Sequence, residues 1–171
     1  MELEPNDLAR LRSQTSKGDL ILFTGTGFSA GAMDHNGIPI PSVIEMKREL
    51  WLLCYPGEEF DASSSLGDLY GAALQRGKAD LIRMLQARLT VDPDSLPEYY
   101  RSFFNFPWFR CYTLNVDDLD CAVARRFTLE RPLLTIHATA AEPADLPGYS
   151  YSARGLEVVH LNGIIPGRRK A

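Results

Sequence analysis

Apolar residues along this chain recur in two alternating rhythms. "RPLLTIHAT" (131–139) and "LEVVHLNG" (156–163), the latter ending in polar residues and Gly, are strand candidates, "WFRCYTL" (108–114) reads as a buried strand, and "DLILFTGTG" (19–27) is a continuous apolar run into a Gly-rich turn. Such runs lack the one-in-two alternation of a half-exposed strand and predict strands covered on both faces, as in a parallel sheet. Between them the spacing is helical. "PNDLARLRSQTSKG" has Pro5, Asn6 and Asp7 at its start and Gly18 at its end, and "VIEMKRELWLLC" carries Val43, Met46, Leu50 and Leu53 on one side. "LGDLYGAALQRG" and "KADLIRMLQARLT" read as two further helices, and "LDCAVARRF" as another. "PEYYRSFFNFP" predicts a helix whose core face runs through Tyr99, Phe103 and Phe106, while Ala138 to Gly155, rich in Ala, Pro and Gly, reads as a long loop. Strands alternating with helices predict an α/β fold: a Rossmann-like, mainly parallel sheet with helices on both faces.

Composition narrows the function classes. At 171 residues the chain favours one domain over 1–171, and 45% hydrophobic with 23% charged residues is an ordinary globular composition. A net charge of −4 gives no electrostatic support for general nucleic-acid or membrane-surface binding. The one basic cluster, "GRRK" from Gly167 to Lys170, reads as a solvated tail. Cys54, Cys111 and Cys121 form no C-x-x-C pair, so neither a disulfide framework nor a structural zinc site is expected, and no metal is assigned. This usage, an N-terminus without a signal-peptide pattern and the lack of a ~20-residue apolar run together predict a cytoplasmic protein.

The candidate chemistry gathers where the apolar runs end. "TGTGFSAGA" places Gly25, Gly27 and Ala30 in a G-x-G-x-x-G/A pattern after a strand and before a predicted helix. Glycine there allows a tight turn and close backbone approach, a helix N-terminus offers N–H groups to a pyrophosphate, and Ser29 adds a hydroxyl. The alternative is a tight turn with no ligand. Glu45 stands about where a dinucleotide fold places a ribose-binding acid, yet it falls within a helix and reads more simply as a surface residue. "HNGIPIPS" follows as a stiffened loop through Gly37, Pro39 and Pro41; His35 is given no role.

"TLNVDD" and "VVHLNG" also put polar groups at strand ends, which in a parallel sheet share one edge. Asn115 and His160 therefore face the same crevice as the Gly25 turn in this reading. Asparagine can both donate and accept, which suits sugar hydroxyls or a water; histidine exchanges a proton near neutral pH. Asp118 and Asp120 read as belonging to the start of the next helix.

In order, "GTGFS", "GIP", "TLNVDDLD" and "HLNG" resemble the motifs of the sirtuin family, over Leu20 to about Gly163. The set is closer to the sirtuin-like domains of bacterial antiphage defence proteins, a branch known for hydrolysing NAD. The resemblance implies that Gly25, Thr26, Gly27, Phe28 and Ser29 form the turn holding the NAD phosphates, and that Gly37, Ile38 and Pro39 form a cofactor-binding loop. It implies that Asn115 orients the ribose and the attacking water, that Asp117 binds the nicotinamide amide, and that His160 is the base toward the ribose. Sirtuin deacylases follow G-I-P with Asp-Phe-Arg and carry a four-cysteine zinc ribbon. Here Ile40, Pro41 and Ser42 follow, and the cysteine pairs are absent, which argues against a deacylase.

The family fold also continues beyond the length of this chain, so the resemblance implies an incomplete domain, with contacts to the far ribose and adenine supplied elsewhere. The expectation is an NAD hydrolase releasing nicotinamide and ADP-ribose in antiphage defence, with NAD as substrate. Control by a sensor domain, a partner protein or homo-oligomerisation is implied as well. A non-catalytic module binding NAD or ADP-ribose is the first alternative, and an NAD-dependent deacylase the weaker one.

Overall fold

The computed structural model describes residues 4–137 and 155–165. Within them the elements run α1 (Pro5–Lys17), β1 (Leu20–Thr24), α2 (Val43–Cys54), α3 (Leu66–Leu89), α4 (Tyr99–Asn105), β2 (Trp108–Thr113), α5 (Leu119–Arg126), β3 (Leu133–His137) and β4 (Leu156–His160). The four strands form one parallel sheet in the order β1-β2-β4-β3. This is an α/β, Rossmann-like architecture. The long loop read over Ala138 to Gly155 and the basic tail at 167–170 lie, except for Gly155, outside the described residues.

Local sequence accounts for most boundaries. α1 ends where Gly18 takes a left-handed conformation (φ 67°) and its N–H and that of Asp19 close back on Thr15 and Gln14. α2 starts on a capping box: Glu45 N–H donates to the Ser42 hydroxyl while the Glu45 carboxylate accepts from the Ser42 N–H. That explains Glu45 as a helix-start residue. The two helices read over 66–90 form one span broken at Gly77, whose φ of 178° and ψ of 99° interrupt the helical path.

Two expectations need correction. Continuous apolar runs predict strands covered on both faces, and β4, in the sheet interior, is buried at every residue. β1 is an edge strand, and its Ile21 and Phe23 are 54% and 59% exposed. An unalternating run does not distinguish the two positions. In α4 the core face passes through Tyr100 and Phe104, whereas Tyr99 and Phe103 are exposed. Tyr99/Phe103 and Tyr100/Phe104 are both i, i+4 pairs, so spacing alone cannot rank them. The Tyr100 hydroxyl decides it by donating to the Phe28 carbonyl at 2.6 Å.

The core joins Met46, Leu50 and Cys54 of α2 to Leu69, Ala73, Leu81, Leu85 and Leu89 of α3, and continues to Cys111, Leu156 and Val158 of the sheet. Below this lies a buried ionic clamp. Arg88 reaches Asp34 through Nη1, Glu49 through Nε at 2.8 Å and the Pro39 carbonyl through Nη2 at 3.1 Å. Asp34, fully buried, also accepts from the N–H groups of Asn36 and Ile38. The "HNGIP" loop is thereby closed as a tight reversal, with Gly37 at a φ of 73°.

Candidate active site

Strand register lines up the site. Thr24 pairs with Thr113, Thr113 with His160, and His160 with His137, a row across the C-terminal edge of the sheet. Ligands of open parallel sheets bind along this edge. β1 leaves it into Gly25, β2 into Asn115, and β4 ends on His160.

The turn after β1 differs from the expected one. Thr26–Ser29 form a single turn of 3-10 helix, and the next α-helix begins only at Val43. The G-x-G-x-x-A pattern therefore does not open a Rossmann helix, and no α-helix N-terminus follows directly to receive a phosphate. Helix-breaking residues explain the departure: Gly31, Gly37, Pro39 and Pro41 follow in close succession, and the chain doubles back through a Met33–Pro39 bridge. Gly31 is fixed by packing, since a Cβ there would fall 1.9 Å from the Tyr99 hydroxyl. Gly25 and Gly27 are different. A Cβ at either would meet nothing within 4 Å, so the protein's own packing does not demand glycine there.

A small cavity opens at the strand ends. Phe28, Phe104, Leu119 and Val158 give it apolar walls, and Thr24, Thr113, Asn115, Asp117, Asp120 and His160 supply its polar groups. Phe28 is held by edge-on contacts with Tyr100, Phe103 and Phe104. At about 20 Å³ the cavity is far below the ~300–1,000 Å³ usual for enclosed drug-sized ligands. It is the size of a single water site, open on one side at the sheet edge.

The polar groups form one connected network. Asn115 donates from Nδ2 to the Gly25 carbonyl at 3.1 Å and to the Ser29 hydroxyl at 2.8 Å. Because a carbonyl can only accept, these contacts fix the amide orientation. Ser29 passes its own hydrogen to Asp117 Oδ2 at 2.8 Å, and Asp117 Oδ1 accepts from the Leu119 N–H at 3.2 Å, capping α5. Asn115 Oδ1 is left buried without a partner. An orphaned acceptor on a residue only 5% exposed is uncommon in native proteins; among the described residues Thr90 Oγ1 and Asp118 Oδ2 share this state.

Burial also acts on two of the acids here. Desolvation raises the Asp117 pKa, against the hydrogen bonds from Ser29 and Leu119, and the nearby Asp118 charge raises it further. Asp118 is likewise raised by burial, with the Val91 N–H and Arg125 opposing. Asp118 begins α5 without capping it, and its carboxylate instead accepts from the Val91 N–H at 2.7 Å. His160 sits 2% exposed, with Nδ1 3.1 Å from the Asn115 carbonyl oxygen and Nε2 3.2 Å from Asp120 Oδ1.

Of the residues singled out from the sequence, Phe28, Asn115, Asp117 and His160 line the cavity, and Gly25 and Ser29 join through the Asn115 hydrogen bonds. Thr26 and Gly27 lie in the adjoining turn. Gly37, Ile38 and Pro39 do not line the cavity and are tied to the Arg88 clamp. Asp120, read as a helix-start residue, points inward and lines the cavity. Its signal was available: Asp120 stands three residues before buried Val123, on the same helical face.

Replacing Ser29 with alanine removes a partner from Asn115 and from Asp117 at once. The expected cost is about 1–3 kcal/mol for the unsatisfied buried groups, read as a lower denaturation midpoint at an unchanged m-value.

The chain matches no protein-family model and no curated protein.

Proposed function

We propose that this chain cleaves the nicotinamide–ribose bond of NAD, with water as acceptor, giving nicotinamide, ADP-ribose and a proton. The observation that carries the reading is the buried, unpartnered Asn115 Oδ1 at the sheet's C-terminal edge. It is an acceptor waiting for a hydroxyl or water hydrogen, and the amide cannot turn away without abandoning Gly25 and Ser29. The ordered sirtuin-like motifs support NAD as the substrate.

Nicotinamide leaves as a neutral ring, so leaving-group protonation is unnecessary. The transition state is oxocarbenium-like and demands a placed water. In this mechanism Asn115 Oδ1 accepts from that water or from a ribose hydroxyl. Asp117 has lone pairs left beyond Ser29 and Leu119 for the nicotinamide amide. Phe28 and Phe104 give the ring an apolar wall. His160 takes the proton, which requires a ring nitrogen to exchange its present acceptor for the substrate hydroxyl or the water. In the defence setting implied by the motifs, NAD depletion is harmful to the cell, and a sensor domain, partner or oligomer would restrain it.

The experiment is incubation of the protein with NAD and no acyl-lysine peptide, followed by separation of products. Equimolar nicotinamide and ADP-ribose support the proposal. The glycine turn gives an independent check. Gly27→Ala should fold with unchanged or slightly raised thermal stability, because its Cβ meets open space, yet bind NAD more weakly if phosphates approach that backbone. Unaltered affinity would remove the turn from the binding site.

The engagement of both His160 nitrogens favours a second reading, a module that binds NAD or ADP-ribose without cleaving it. Calorimetry showing binding with no product over hours would select it.

A further inference from the structure

His160 is enclosed by acceptors. Nδ1 faces a backbone carbonyl, which has no hydrogen to give, and Nε2 faces the Asp120 carboxylate. Neutral imidazole carries one N–H and can satisfy only one of them; imidazolium satisfies both. The side chains of His160 and Asp120 are each 2% exposed, so bulk water does not compete for these contacts. Asp120 is itself held from its other side: Thr135 Oγ1 of β3 donates to Oδ2, which leaves Oδ1 directed at the ring.

We infer that Asp120 is a positioning residue that keeps both His160 ring nitrogens protonated at rest and sets the pH at which His160 becomes a base. The ring gives up a proton to solvent before it can accept one from a substrate hydroxyl or water. Through Nδ1 the same ring braces the Asn115 backbone, the segment that presents the orphaned Oδ1. The catalytic consequence rests on the NAD-cleavage reading; the protonation state does not.

The surrounding charges agree. Burial pushes the His160 pKa down, and it is outweighed by the hydrogen bond and charge of Asp120, the Asn115 carbonyl and the charge of Asp117, leaving it raised. Among the described residues, His137 of β3 stands nearby, with ring centroids 6.4 Å apart, and Asp118 faces Arg125 at 3.8 Å. The thiols of Cys111 and Cys121 are both pushed up by burial, Cys111 to about 12, and stay neutral. A histidine raised in the folded state adds stability that is complete below its unfolded pKa of ~6.5 and is lost as pH rises through the folded value.

The test is nitrogen-15 NMR of the imidazole groups in the full chain, with His160→Gln for assignment. Wild type should show two His160 N–H groups above pH 6.5, the ordinary histidine value. In Asp120→Asn the midpoint should fall below that of wild type, because the Asn115 carbonyl and the Asp117 charge then oppose burial without the carboxylate; Asp120→Glu should restore part of the shift. If Asp120→Asn fails to fold, the wild-type spectrum still decides. A neutral His160 tautomer at pH 6.5, or an equal midpoint in wild type and Asp120→Asn, overturns the inference. In turnover, the acidic limb of the pH profile should move to lower pH in Asp120→Asn. Absence of any NAD cleavage by wild type would refute the proposed reaction and leave the NMR result standing.

Discussion

Arg88→Ala should destabilise the fold by about 3–5 kcal/mol, the loss found when one partner of a buried ion pair is removed. Asp34 is fully buried, and after the substitution its carboxylate keeps two backbone N–H groups but no counter-charge. Glu49 and the Pro39 carbonyl lose their partner in the same step. Against the ~5–15 kcal/mol that usually separates folded from unfolded domains, this is a large fraction. Chemical denaturation should show a lower midpoint with little change in m-value. Arg88→Lys should recover little, because one ammonium cannot reproduce a fork that reaches three acceptors. A midpoint within ~0.5 kcal/mol of wild type, the range of ordinary surface changes, would show that the clamp contributes nothing net.

Asn115→Ala should have the largest effect on chemistry. Alanine removes the orphaned acceptor and both donors that tie the β2 exit to Gly25 and Ser29. The expected loss in kcat is about 100-fold or more, the scale seen when one preorganised polar group is removed from a reacting centre. Stability should fall as well, by about 1–3 kcal/mol for the abandoned Gly25 and Ser29 contacts. Circular dichroism must therefore confirm folding at the assay temperature. Turnover lost in folded protein, with NAD affinity largely retained, would mark Asn115 as acting on the reaction rather than on binding.

The sheet was legible in the sequence because each strand is an apolar run stopped by polar residues, and because strand ends of a parallel sheet share one edge. Those two features alone bring Asn115, His160 and the Gly25 turn to one edge. What stayed hidden depended on neighbours distant in sequence. Nothing local tells that β1, an unbroken apolar run, is an edge strand while β4, which carries Glu157, lies in the interior. The core face of α4 is chosen by the Tyr100–Phe28 hydrogen bond, made across 72 residues. The glycine pattern after β1 suggested a helix that the later glycines and prolines forbid. Asp120 was obscured by its neighbour: in "DDLD" Asp118 and Asp120 both read as helix-start acids, and folding directs the first to the Val91 N–H and the second to His160.

Nicotinamide release from NAD, compared between wild type, Asn115→Ala and His160→Ala at one pH and with folding verified, tests the central claim most directly. The account predicts steady release by wild type and a loss of about 100-fold or more in Asn115→Ala, with a marked loss in His160→Ala. Release that is unchanged in both variants, or absent from the wild-type protein, would contradict it.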